Sequence, residues 1–152
     1  MLNHGTDPAD FHALFHDLSL DVLSKDQALL DALRALPGRR FIFTNADDRH
    51  AERVMEHLGL TDLFDEVFHI HSFGFAPKPD PLGFERMIAA HGLDPAATAF
   101  FEDSERNLKP AKDLGMTTVM VGPRAAESIA PFIDYKTAKL APFLKSARLR
   151  EA

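Results

Sequence analysis

The chain has 152 residues, 45% of them hydrophobic and 26% charged, which are the proportions of one ordinary globular domain and exclude a disordered, collagen-like or mucin-like chain. Seventeen Lys and Arg against 23 Asp and Glu leave a net charge of −6, the wrong sign for a general nucleic-acid binder, so an anionic ligand needs a local positive site. Cysteine is absent, excluding disulfides and thiolate chemistry; no apolar run nears a bilayer-crossing length, and MLNHGTDPADFH lacks the order of a secretory signal, so a cytoplasmic protein without a membrane partner is expected.

Asp7-Pro8 reads as an N-cap and first helical position, followed by Phe11, Leu14, Phe15 and Leu18 at helical spacing. Ser24 with Gln27 has the pattern of a capping box, and the leucines at 29, 30, 33 and 36 predict a second helix that Pro37-Gly38 stops. The period then changes. Phe41-Ile42-Phe43 is a short apolar run of the buried-strand kind, and Ala51, Val54, Met55 and Leu58 predict a helix closed by Gly59. Further strands are expected at 66–70, 98–101 and 116–121, with an edge strand at Phe132-Ile133. Helices are expected after Asp80-Pro81 up to Gly92, over 108–114, and over 140–149. This alternation predicts an α/β fold, a doubly wound parallel sheet, whose ligand sits beyond the carboxyl ends of the strands.

Those ends carry polar groups. Thr44-Asn45 follows the first apolar run and enters a helix, where N–H groups and the dipole favour an anion. Lys78 stands between Pro77 and Pro79, which stiffen the backbone on both sides of it. Glu102-Asp103, with Ser104 as an N-cap and Asn107 one turn on, offers paired hard oxygens of the kind magnesium takes. Each alone reads as a cap or a solvated charge; together they are the parts that hold a phosphate and a divalent metal.

Phe41-Ile42-Phe43-Thr44-Asn45, Gly74-Phe75-Ala76-Pro77-Lys78-Pro79-Asp80-Pro81 and Phe100-Phe101-Glu102-Asp103-Ser104-Glu105-Arg106-Asn107-Leu108 resemble the second, third and fourth motifs of haloacid dehalogenase-like phosphatases, in that order and at matching spacing. The Lys-Pro-Asp-Pro loop, the Glu-Asp-Ser-x-Arg-Asn segment and Gly115-Met116-Thr117-Thr118 look most like the pyrimidine 5'-nucleotidase branch, and strong similarity covers about residues 39 to 123. The resemblance implies that Thr44 and the Asn45 backbone bind phosphate, that Lys78 pairs with phosphate and nucleophile, and that Asp103 ligates Mg2+ with Glu102 beside it. It implies a small phosphorylated metabolite as substrate, a nucleoside monophosphate in that branch, hydrolysed through an aspartyl-phosphate.

The family's first motif, Asp-x-Asp-x-Thr after an apolar strand, has no match upstream of Thr44. Residues 1–24 read instead as the remnant of a helical cap, and 25–152 as a core lacking its first strand. A short isoform, a misassigned start and gene decay are equally consistent with this. Asp134, in Phe132-Ile133-Asp134-Tyr135-Lys136-Thr137, has the strand and the threonine of a nucleophile motif but has Lys136 where the acid/base belongs. The chain by itself is therefore expected to be inactive, and its alternative reading is a phosphate-binding or interaction module without catalysis. Loss of a central strand would leave two unpaired inner edges and a tendency to self-associate. His12 and His16, four apart, and His69 and His71, alternating at a strand end, lack a third ligand and read as a solvated face and as lining residues. A receiver domain gathers similar groups but orders them acids, hydroxyl, lysine, whereas this chain has Thr44, Lys78, then Glu102-Asp103.

Overall fold

The computed structural model describes residues 19–72 and 74–147. The helix expected from Asp7 to Leu18, most of the 1–24 segment, and His12 and His16 lie outside the described residues. Ten regular elements follow in order: α1 (Gln27–Ala35), β1 (Phe41–Phe43), α2 (Asp48–Leu58), β2 (Glu66–Phe68), α3 (Pro81–His91), β3 (Ala99–Glu102), α4 (Glu105–Asp113), β4 (Thr117–Val121), β5 (Tyr135–Thr137) and α5 (Leu140–Ser146), with single 3-10 turns at Thr61–Leu63, Pro95–Ala97 and Ala125–Glu127.

Local chemistry sets the boundaries. Asp26 caps α1, accepting from the Leu29 N–H at 3.1 Å, so the cap is two residues beyond the expected Ser24. Asp47 caps α2 by accepting from His50 N–H, and Gly59, left-handed at φ 72°, closes it. Asp80 caps α3 with Pro81 in its first turn. Helix α4 starts at Glu105, three residues earlier than expected, because Ser104 already has extended backbone at the N-cap; its side chain makes no capping bond. The second strand stops at Phe68, short of the expected 70, and the last helix ends at Ser146. The last strand is Tyr135–Thr137, not Phe132-Ile133, since Phe132 and Ile133 pack against the core instead and the Phe132 carbonyl accepts from the Thr118 hydroxyl.

All ladders are parallel, and the fold is α/β with helices against the sheets. The strands form two sheets, β1-β2 and β3-β4-β5, with no ladder between β1 and β3 among the described residues. One core gathers Phe68, Ile70, Phe84, Met87, Phe100, Leu108 and Met116, with Phe43 against it; a second gathers Leu30, Leu33, Leu63 and Leu144, with Phe101 and Phe143 against it. Alternation along β3 therefore sends Phe100 into one core and Phe101 into the other. Phe84 of α3, fully buried, makes edge contacts with Phe43 of β1 at 4.9 Å and Phe100 of β3 at 5.2 Å, so one ring joins the two sheets. No helix among the described residues is long and apolar enough to cross a membrane.

Candidate active site

Three strand ends converge on Lys78. Its backbone is held by the side chain of Asn45, whose Oδ1 accepts from the Lys78 N–H at 2.8 Å and whose Nδ2 donates to the Lys78 carbonyl at 3.0 Å. This ties the loop after β2 to the end of β1. The Lys78 ammonium then reaches the end of β3, where it donates to Glu102 Oε2 at 2.6 Å, with both side chains nearly enclosed at 11% and 8% exposure. It lies 5.3 Å from the centre of the Phe43 ring and 5.5 Å from that of Phe100, so two aromatic faces add cation–π attraction to the ion pair.

Glu102 is fully engaged. Its Oε1 accepts from the N–H groups of Asp103 and Ser104 at 3.2 and 3.1 Å, while Oε2 takes Lys78. Burial would push its carboxyl up, yet the neighbouring Asp103, the Lys78 ammonium and the Ser104 N–H outweigh that and hold it below the usual glutamate range. Asp103 moves the other way, raised by its hydrogen-bonding contact with Glu102, then by burial and the Glu102 charge. The pair thus divides its roles, with Glu102 kept ionised against Lys78 and Asp103 more exposed and more readily protonated.

Thr44 closes β1 by donating its N–H to Phe68 O, and its hydroxyl oxygen accepts from Ala46 N–H at 3.1 Å, which keeps the hydroxyl proton available. Asn107, buried in α4, leaves its Oδ1 without a partner among the described residues. A cleft of about 460 Å³ opens beside Asp103 at the ends of β3 and β4, lined among others by Met120, Gly122, Pro123 and Arg124. Among the described residues no group of three or more His, Asp or Glu side chains is placed to hold a metal ion. The donors that are present, carboxylate oxygens at a strand end, suit magnesium, and Asp103 is the one not committed to Lys78.

The structure brings Lys78, Asn45, Glu102 and Asp103 together, with Thr44 preceding Asn45. The Asn45 side chain, rather than its backbone alone, and the rings of Phe43 and Phe100 escape a sequence reading, because each looks like a cap or a core residue. Asp134 is no nucleophile in waiting: its carboxylate takes Lys112 at 2.5 Å and the Thr118 N–H and hydroxyl at 2.9 and 3.1 Å. His71 lies 3.9 Å from Asp48 and packs edge-on with His69 and Phe75.

A family model described as haloacid dehalogenase-like hydrolase matches residues 7–115. The chain is 37% identical over 113 residues to phosphate metabolism protein 8 of Saccharomyces cerevisiae, covering 66% of this chain and 35% of that protein. It is 34% identical over 87 residues to the GMP/IMP nucleotidase YrfG of Escherichia coli, covering 57% of this chain and 39% of that protein. The chain therefore spans well under half the length of these relatives. A solved structure of a HAD phosphatase from Thermococcus onnurineus superposes with a TM-score of 0.65 at 27% identity, over 78% of this chain and 54% of that one.

Proposed function

Since the chain belongs to the haloacid dehalogenase-like hydrolases, we propose that the cluster around Lys78 binds the phosphoryl group of a small phosphate monoester and forms the phosphate- and metal-holding part of a phosphatase site. One observation carries this reading: Asn45 fixes the backbone of Lys78 while Glu102 fixes its ammonium, so one cation is held where three strand ends meet. An ammonium has three donors and the Glu102 bond uses one, leaving two for phosphoryl oxygens. The Thr44 hydroxyl supplies a neutral donor nearby in sequence. Asp103 would hold Mg2+ with Glu102 beside it, and the ion, when bound, neutralises charge that develops on the phosphoryl oxygens.

The substrate class we infer is a nucleoside monophosphate. The Lys78-Pro79-Asp80-Pro81 loop and the 102–107 segment support the pyrimidine 5'-nucleotidase branch, and the nucleotidase among the relatives supports the broader class. The cleft beside Asp103 has room for part of such a ligand. Aspartyl-phosphate chemistry needs a nucleophilic aspartate, and the cluster around Lys78 supplies the phosphate- and metal-holding groups that such a nucleophile works with. Calorimetric titration of the chain and of Lys78→Ala with inorganic phosphate and with uridine monophosphate, with and without magnesium, tests the reading. Loss of one charge-assisted contact costs about 1.5–3 kcal/mol, roughly tenfold to a hundredfold in affinity. Equal affinity in the two proteins would overturn it.

A further inference from the structure

Phe75 breaks two rules for its residue type. It is 66% exposed, and its backbone is left-handed at φ 59°, alone in this among the non-glycine residues described. Gly74 before it is left-handed too, at φ 60°, and a Cβ there would come within 2.4 Å of an Arg86 guanidinium nitrogen. Glycine at 74 thus answers to a lack of room, whereas at 75 a bulky ring is carried in a conformation that glycine would adopt more readily. An exposed apolar side chain is ordinary on a surface; one held on strained backbone points to a site.

Such a conformation persists only where contacts fix it. The Phe75 N–H donates to the Ile70 carbonyl at 3.1 Å, and the Ile70 N–H donates to the Ala46 carbonyl at 3.1 Å. At the other end, the Asn45 side chain holds the backbone of Lys78. Two consecutive residues after β1 therefore fasten both ends of the segment that carries Phe75. This sets the ring three residues from the lysine, on a loop tied to the strand end that also carries Thr44. His71 packs edge-on against Phe75 at 5.3 Å, and its Nδ1 lies 3.9 Å from Asp48 in the first turn of α2. Edge-on packing covers at most one face of the Phe75 ring, so apolar ring area stays open to a ligand.

We propose that Phe75, backed by His71, is the platform on which the base of a nucleoside monophosphate stacks while its phosphate is held at Lys78 and Thr44. This rests on the phosphate reading above and adds the group that tells a nucleotide from a simpler phosphate ester. A ring already fixed by its backbone loses little freedom when a base settles on it. Stacking uses the π-face that every base presents, so Phe75 selects for a base without choosing among bases.

The test is calorimetric titration of the full 152-residue chain with inorganic phosphate, ribose 5-phosphate and uridine monophosphate, the last of which adds a base to the second. Stacking one base on one aromatic ring corresponds to about fivefold to a hundredfold in affinity, and uridine monophosphate should bind more tightly than ribose 5-phosphate by that factor. In Phe75→Gly, where glycine suits φ 59°, the two should bind alike, with phosphate affinity unchanged and the unfolding midpoint no lower. Phe75→Tyr should keep the difference. Ring-current shielding should move the two uracil ring-proton signals upfield on binding to the wild type and not to Phe75→Gly. Equal affinities for ribose 5-phosphate and uridine monophosphate in the wild type would overturn the platform and leave the phosphate site standing. A loss in Phe75→Gly that falls equally on both compounds would do the same, by making Phe75 a shaper of the loop alone. If none of the three compounds binds, the phosphate reading falls and the platform with it.

Discussion

Replacing Lys78 by methionine keeps most of the side chain's volume and removes its charge, which leaves Glu102 ionised, 8% exposed and without its cation. Breaking a buried pair from one side typically costs about 3–5 kcal/mol, because the remaining charge keeps its desolvation penalty. With a urea dependence of about 2 kcal/mol/M, the unfolding midpoint should fall by about 1.5–2.5 M at pH 7. The double variant Lys78→Met with Glu102→Gln removes both charges and should recover most of the loss. The sign of the pH effect follows from the direction of the shift. In the wild type Glu102 is held below 4.5, so its contribution is complete above that value and is lost as the pH falls through the lower folded value. In Lys78→Met the carboxyl moves upward, and its penalty is full at pH 7 and fades as acid protonates it. The gap between the two proteins should therefore narrow steadily from pH 7 to pH 4. A Lys78→Met protein within 1 kcal/mol of wild type at pH 7, or a gap that does not change with pH, would refute this account of the pair.

Asp134→Ala should cost about 1–3 kcal/mol, since it leaves the N–H of the fully buried Thr118 without its acceptor and releases Lys112, while the Thr118 hydroxyl keeps the Phe132 carbonyl. By calorimetry that is about 2–12 °C in Tm. Asp134 is held below 3.8, where burial is outweighed by Lys112 and Thr118, so wild type and variant should converge as the pH falls below that value; a constant difference would argue against the ion pair. Phe84→Ala should cost about 3–5 kcal/mol in urea unfolding, and the exchange of amides in both sheets should rise together, because that ring touches each of them. Finally, Asp103→Asn should abolish any strengthening of phosphate binding by magnesium in calorimetric titration; an unchanged effect of the ion would argue against Asp103 as its ligand.

The alternation of apolar runs with helical periods was enough to read an α/β fold, and glycine at 59 and 92 marked helix ends correctly because each takes the left-handed conformation there. The lysine stood out because a proline on each side stiffens the backbone at it, and the acid pair because it follows an apolar strand directly. What sequence could not carry was partnership across distance. Asn45 looks like any helix-start residue until residue 78 is placed beside it, and Asp134 looks like a strand-end acid until Thr118 and Lys112 close around it. The edge strand was misplaced by three residues since Phe132 and Ile133 have strand-like side chains, while the ladder to β4 begins at Tyr135. Hydrophobicity marked those two residues for burial, and burial came by packing rather than by pairing.

The amide of Asn45 treats Lys78 as a neighbouring strand would, offering an acceptor to its N–H and a donor to its carbonyl from a single side chain. A carboxylate there would lose the donor and set a negative oxygen against the Lys78 carbonyl, and a glutamine would overreach by a methylene. Because this contact reads only main-chain atoms, residue 45 would hold the backbone at position 78 in the same way whatever side chain stood there. The choice of a lysine is thus made at Glu102, and the fastening of the loop and the placing of its charge are separate jobs done from two different strands.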